Sequence, residues 1–204
     1  MRDRTILLFD VMDTLVYNPF NSEIPAFFAL TAAELMQQTR AGNWEAFELN
    51  QIAESLYLES YFADGRTFDH VAFLQHVGAA YRWRDTGTPQ LLRELRDAGC
   101  ELHAFSNYPA WYQTIEARLR LSEYLPWTFV SCRTGHRKPA SSAFEFVVRE
   151  LDCHPAQCWL IDDVAENCHA ARTSGMNAIH YTQLSELRRK LAAAGLLTLP
   201  SDPQ

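Results

Sequence analysis

A four-residue apolar run, Ile6-Leu-Leu-Phe9, passes directly into Asp10 and then into Val-Met-Asp-Thr14. A run of that length, unbroken by polar residues, suits a strand buried on both faces. A carboxylate at the carboxyl end of such a strand points into the crevice where open α/β sheets bind ligands. The pattern returns along the chain. A strand over Glu101 to Phe105 leads into Ser106-Asn107, one over Cys158 to Ile161 leads into Asp162-Asp163, and a short one over Thr128 to Ser131 precedes Lys138. A fifth is expected over Asn177 to His180.

Helical periodicity separates these runs. Helices are predicted from Pro89 to Asp97, Ala110 to Leu121, Ser142 to Leu151, Ala165 to Ser174 and Leu184 to Ala194. Strands alternating with helices imply an α/β fold, a Rossmann-like parallel sheet with helices on both faces. Residues 18–84 break the alternation. They read as helical throughout: Pro25 to Met36, Trp44 to Tyr57, and a third helix from an N-cap at Asp69 to Tyr81. This stretch is dense in aromatics, most of them suited to the core of a small bundle. The organisation expected is therefore a core of 1–17 and 85–204 with a small helical domain of 18–84 between its parts. The tail 199–204, rich in Pro and polar residues, is expected to be disordered.

A net charge of −7 argues against nucleic acid or an anionic membrane as partner, since both select a basic face. No run of apolar residues is long enough to span a bilayer. The first residues lead straight into the first strand, which leaves no room for a targeting segment. Five cysteines, odd in number and confined to residues 100–168, fit reduced thiols and a cytoplasmic location. Cys153, His154, Cys158, Cys168 and His169 match no common zinc spacing.

Asp10, Asp162 and Asp163 are expected to face one another across adjacent strand ends. Carboxylates that close raise one another's pKa unless a cation intervenes. Mg²⁺ suits the set, because it takes one or two carboxylates together with water and substrate oxygens. Ser106, Asn107 and Lys138 add donors and a positive charge. Lys138 is one of two lysines in a chain that otherwise uses arginine, which suggests a point contact. The chemistry favoured is phosphate-ester cleavage, with the ammonium and hydroxyl on phosphate oxygens and a carboxylate free to attack phosphorus.

These residues carry a resemblance. Asp10-Val-Met-Asp-Thr14, Phe105-Ser-Asn107, Arg137-Lys-Pro139 and Ile161-Asp-Asp163 with Asn167 resemble, in order, the four motifs of the haloacid dehalogenase (HAD) superfamily. The 18–84 stretch resembles that superfamily's C1-type helical cap. Asn18-Pro-Phe20, Asp64-Gly-Arg66 and Ala104-Phe-Ser-Asn-Tyr-Pro109, with Trp111-Tyr112, are similar to plant plastid enzymes that hydrolyse flavin mononucleotide (FMN). The resemblance implies a nucleophilic Asp10. It implies Mg²⁺ held by Asp10, the Met12 carbonyl and Asp162, with Asp163 ligating directly or through water. Ser106 and Lys138 would bind phosphate, Thr14 would support the loop and Asn167 would orient the acidic pair. Substrate contacts are also expected from Asn107, Thr14 and Asp13, and stacking from Tyr108, Trp111 and Tyr112.

Met12 departs from the superfamily's usual phosphatase pattern. A second aspartate ordinarily stands there to protonate the leaving alcohol, a service typically worth ~10²–10⁴ in rate. Asp13 is the neighbouring candidate to replace it. Two other readings compete: a metal-independent 2-haloacid dehalogenase, and a flavin- or phosphate-binding protein with weak turnover.

Overall fold

The computed structural model describes residues 4–198, so the expectation for the 199–204 tail lies outside the described residues. β1 (Ile6–Phe9) is the central strand, and all four of its side chains are fully enclosed. β2 (Glu101–Ser106), β3 (Phe129–Val130), β4 (Cys158–Asp162) and β5 (Asn177–His180) complete a parallel sheet in the order β3-β2-β1-β4-β5. The fold is the expected Rossmann-like α/β architecture.

Strand pleating divides the core. Leu7 and Phe9 face one apolar cluster, which extends into the helical residues of 18–84; Ile6 and Leu8 face another with Phe105, Phe129 and Phe144. The chain runs outward from β1 through β2 to β3, then crosses to β4 on the other side. That reversal opens a crevice at the carboxyl ends of the strands. Phe9 pairs with Ala104 on one side and Ile161 on the other, which sets Asp10, Ser106 and Asp162 at the same edge.

Between β1 and β2 the chain forms α1 (Glu23–Phe27), α2 (Ala32–Gln38), α3 (Asn43–Glu48), α4 (Glu54–Glu59), α5 (His70–Ala80) and α6 (Thr88–Asp97). Two expected helices are each split. The Pro25–Met36 prediction breaks where Ala29 turns left-handed (φ 54°) and Thr31 opens α2 with a capping box to Glu34. The Trp44–Tyr57 prediction breaks at Asn50, also left-handed (φ 56°). Apolar periodicity runs through both interruptions, so it does not reveal them. Asp69 caps α5 as expected, accepting from the Ala72 amide.

Beyond α6 the helices are α7 (Tyr112–Leu119), α8 (Ser131–Thr134), α9 (Ser141–Glu150), α10 (Ala165–Thr173) and α11 (Leu184–Ala193). α8 is a single turn that the sequence reading missed. Where the helical block leaves and rejoins the core, its two linkers pair with each other: Tyr17 N donates to Arg82 O, and Arg84 N donates to Leu15 O. No helix of the described residues is long and apolar enough to cross a membrane.

Candidate active site

Lys138 Nζ lies 2.9 Å from Asp10 Oδ1 and 2.5 Å from Asp162 Oδ2. All three side chains are buried, Lys138 to 1% exposure and Asp162 to none. Three elements meet there: the end of β1, the end of β4 and the loop between α8 and α9. Asn107 places the lysine. Its amide donates to Lys138 O at 2.7 Å and accepts from Lys138 N at 2.9 Å. That geometry engages Asn107 with the lysine's peptide, and Asn107 also lines a neighbouring cleft.

Asn167, on α10, donates to both Asp162 oxygens at 3.1 Å, and the Val164 amide adds a third bond at 2.8 Å. Thr14 Oγ1 accepts from the Asp163 amide at 3.1 Å. The loop after β1 is thereby tied to the loop after β4. The Asp163 carbonyl accepts from His180 Nε2 at 2.8 Å when that nitrogen carries the proton, a contact sequence gave no signal for.

Electrostatics favour a cation. Burial pushes the Asp10 carboxyl up, to about 8, against the attraction of Lys138 and with repulsion from Asp162 and Asp163. Burial also disfavours the Lys138 ammonium, but Asp10 and Asp162 outweigh it and hold the amine protonated. Burial and Asp162 raise Asp163 as well. One ammonium thus faces three carboxylates, whose ligand atoms lie within 4.8 Å of one another. Among the described residues no amide donates to the Met12 carbonyl, which leaves that hard oxygen unclaimed. This all-oxygen set fits Mg²⁺. Ser106 Oγ, at the end of the neighbouring strand, is enclosed and has no hydrogen-bond partner. A buried hydroxyl in that state is costly unless a ligand completes it.

Asp13 is not drawn into this cluster's hydrogen bonding. It sits at φ 57°, and its carboxylate accepts from Arg84 Nη1 at 2.8 Å and Asn21 Nδ2 at 3.2 Å. Both partners belong to the linkers and first turn of the helical block.

A cleft of about 360 Å³ opens beside Met12 and Asn107. Its other walls come from the helical block and include Phe20, Trp44, Tyr57 and Tyr61. Tyr108 reaches it, while Trp111 packs among Phe47, Tyr57 and Phe73, and Tyr112 packs on Trp127. Of the three aromatics expected to stack on a substrate, then, Tyr108 alone is in position. Glu48 also lines the cleft. It accepts from Trp44 Nε1 at 2.5 Å and from Arg137 Nε at 3.2 Å, and Ser131 Oγ donates to its carbonyl. Burial lifts its carboxyl to about 7, with Arg137 opposing. A glutamate inside a helix carries no sequence mark of such a setting. The cysteine–histidine set does not assemble: His154 caps a turn, Cys168 lies under Asp162 O, and only Cys153 and Cys158 approach, at 3.5 Å.

A family model for haloacid dehalogenase-like hydrolases matches residues 5–175. The chain is 38% identical to the chloroplastic flavin mononucleotide hydrolase 1 of Arabidopsis thaliana, over 96% of this chain and 79% of that one. It is 30% identical to the sesquiterpene phosphatase of Aspergillus oryzae, over 68% of this chain and 72% of the other. A HAD family enzyme of Bacteroides thetaiotaomicron, solved as a magnesium complex, superimposes with a TM-score of 0.76 at 18% identity, covering 92% of this chain and all of that one. At that identity the likeness speaks for the fold alone. A match spanning most of the chain, with a relative this similar across nearly its whole length, is decisive: this protein belongs to the haloacid dehalogenase-like hydrolases.

Proposed function

We propose that this hydrolase is a Mg²⁺-dependent phosphomonoesterase whose substrate is FMN, giving riboflavin and inorganic phosphate. One observation carries the phosphatase reading: Asp10 is held against Lys138 in an all-oxygen, cation-demanding pocket beside the unpartnered Ser106 hydroxyl. The flavin part is supported by the 38% identity to a flavin mononucleotide hydrolase and by the aromatic cleft next to Met12.

In this reading Asp10, the Met12 carbonyl, Asp162 and Asp163 hold Mg²⁺, which when bound neutralises the carboxylates and the substrate's phosphate oxygens. An Asp10 carboxylate oxygen attacks phosphorus, and the bond from phosphorus to the ester oxygen breaks with its electron pair leaving on that oxygen. Lys138 and Ser106 stabilise the phosphoryl oxygens. The leaving alkoxide takes its proton from water, since Met12 cannot supply one. A second water attacks phosphorus and gives its proton to the hydroxide left by the first; the bond from phosphorus to the Asp10 oxygen breaks with its electron pair returning to that oxygen, which releases phosphate and restores Asp10. Thr14 and Asn167 hold the two acidic loops in register. Residues 18–84 act as a cap over the core of 1–17 and 85–204. All five cysteines are free, which supports a reducing compartment.

The adjacent pair Asp162 and Asp163 disfavours a haloacid dehalogenase, whose chemistry needs no metal. A prenyl phosphate is the competing substrate, favoured by the sesquiterpene phosphatase relative and by Leu35 and Met36 in the cleft wall. A Mg²⁺ panel of FMN, sugar phosphates, nucleotides, farnesyl phosphate and 4-nitrophenyl phosphate decides. The expected result is the highest kcat/KM on FMN. Activity on the aryl ester with none on FMN would sink the assignment.

A further inference from the structure

Tyr57 and Tyr61 are 3% and 4% exposed, and both line the cleft. Several other buried aromatics with polar atoms are satisfied. The Tyr81 and Tyr108 hydroxyls bond each other at 2.7 Å, and the indole nitrogens of Trp44 and Trp111 donate to Glu48 and Glu54. Among the described residues, the hydroxyls of Tyr57 and Tyr61 make no hydrogen bond to protein. They are not sealed either: the enclosed side-chain atoms without a partner are His70 Nε2, Thr88 Oγ1 and Ser106 Oγ. Protein groups therefore leave both hydroxyls unclaimed, and both residues line the cleft. Burial raises both phenols above the ordinary range, so each is a neutral donor.

We propose that Tyr57 and Tyr61 determine the specificity of this cleft by donating hydrogen bonds to acceptors on the leaving group. The occupant is a planar heteroaromatic with carbonyl or ring-nitrogen acceptors, not a hydrocarbon chain. The two candidate occupants differ in what they leave unpaired. A flat ring fills the cleft walled by Trp44, Phe20 and Tyr108 and completes the two hydroxyls. A prenyl chain fills the same space but seals both hydroxyls from water without a partner. A site built to hydrogen-bond its ligand discriminates strongly against an analogue that lacks the matching group.

The inference rests on the flavin reading, and its test separates the two. Riboflavin affinity is measured by fluorescence quenching, and kcat/KM by phosphate release from FMN and from farnesyl phosphate, on the wild type, Tyr57→Phe, Tyr61→Phe and the double variant. Phe keeps the ring and removes a hydroxyl that no protein group uses, so folding is preserved. Each single variant is expected to bind riboflavin roughly 3- to 10-fold more weakly. In the double variant the FMN to farnesyl phosphate ratio of kcat/KM is expected to fall by at least about tenfold. Unchanged riboflavin affinity and an unchanged ratio overturn the tyrosine role while the flavin reading stands. Tyrosine-dependent riboflavin binding without phosphate release from FMN supports the tyrosine role and contradicts the flavin hydrolase reading. A wild type that neither binds riboflavin nor cleaves FMN, or that prefers farnesyl phosphate, overturns both.

Discussion

The Asp13 carboxylate lies 2.8 Å from Arg84 Nη1, in an ion pair that ties the loop after β1 to the linker by which the helical block rejoins the core. Its second oxygen accepts from Asn21 at the block's entry. Both of its oxygens are thus engaged by donors from the helical block and its linker. We propose that the residue adjacent to Met12 acts as a fastener and that no side chain replaces the acid that Met12 lacks. Met12→Asp should then raise kcat on FMN by about tenfold or more, with little gain on 4-nitrophenyl phosphate, whose leaving group needs no proton. Steady-state kinetics on the two esters checks this; equal changes on both would point to a different rate-limiting step.

Lys138→Met removes the cation shared by Asp10 and Asp162 and leaves two buried carboxylates facing each other. Losing one member of a buried ion pair typically costs about 3–5 kcal/mol. The variant should show a loss of that order in urea unfolding without metal. Saturating Mg²⁺ should narrow the gap by binding the folded state alone. A Met variant as stable as the wild type in EDTA would mean the cluster carries little strain.

Glu48 gives a pH signature. Its folded pKa, about 7, stands above the unfolded value near 4.5. The stability it contributes is fully present below the unfolded pKa and is lost as pH rises through about 7. A shift of this size corresponds to on the order of 3 kcal/mol. Glu48→Gln keeps the acceptor for Trp44 Nε1 and removes the titration. Metal-free unfolding free energies of the wild type should therefore decline relative to Glu48→Gln between pH 4.5 and 7. Parallel curves would refute the shift.

The sheet was legible because its signal is local. Ile6 to Phe9 and Cys158 to Ile161 are apolar runs buried on both faces, and each ends in the aspartate that the structure sets at the crevice. Chain order alone then brings Asp10, Ser106 and Asp162 to one edge. The helical block was less legible, because Ala29 and Asn50 turn left-handed inside stretches whose apolar spacing continues unbroken. Ala29 gives no mark of such a turn, and Asn50, although asparagine tolerates the left-handed region better than most residues, marks it less strongly than glycine would. Side-chain commitments were the least legible. Asn107 grips the Lys138 peptide and Asp13 grips Arg84. Both outcomes depend on a partner 31 or 71 residues away, which no pattern in the neighbouring sequence records.

The account turns on Asp10 as the group that attacks phosphorus. The measurement that tests it most directly is phosphate release from FMN in saturating Mg²⁺ by the wild type and by Asp10→Asn. An amide of the same shape cannot attack, so the account predicts equal amounts of riboflavin and phosphate from the wild type and no turnover above background from the variant. Turnover by Asp10→Asn at a rate near that of the wild type would contradict it.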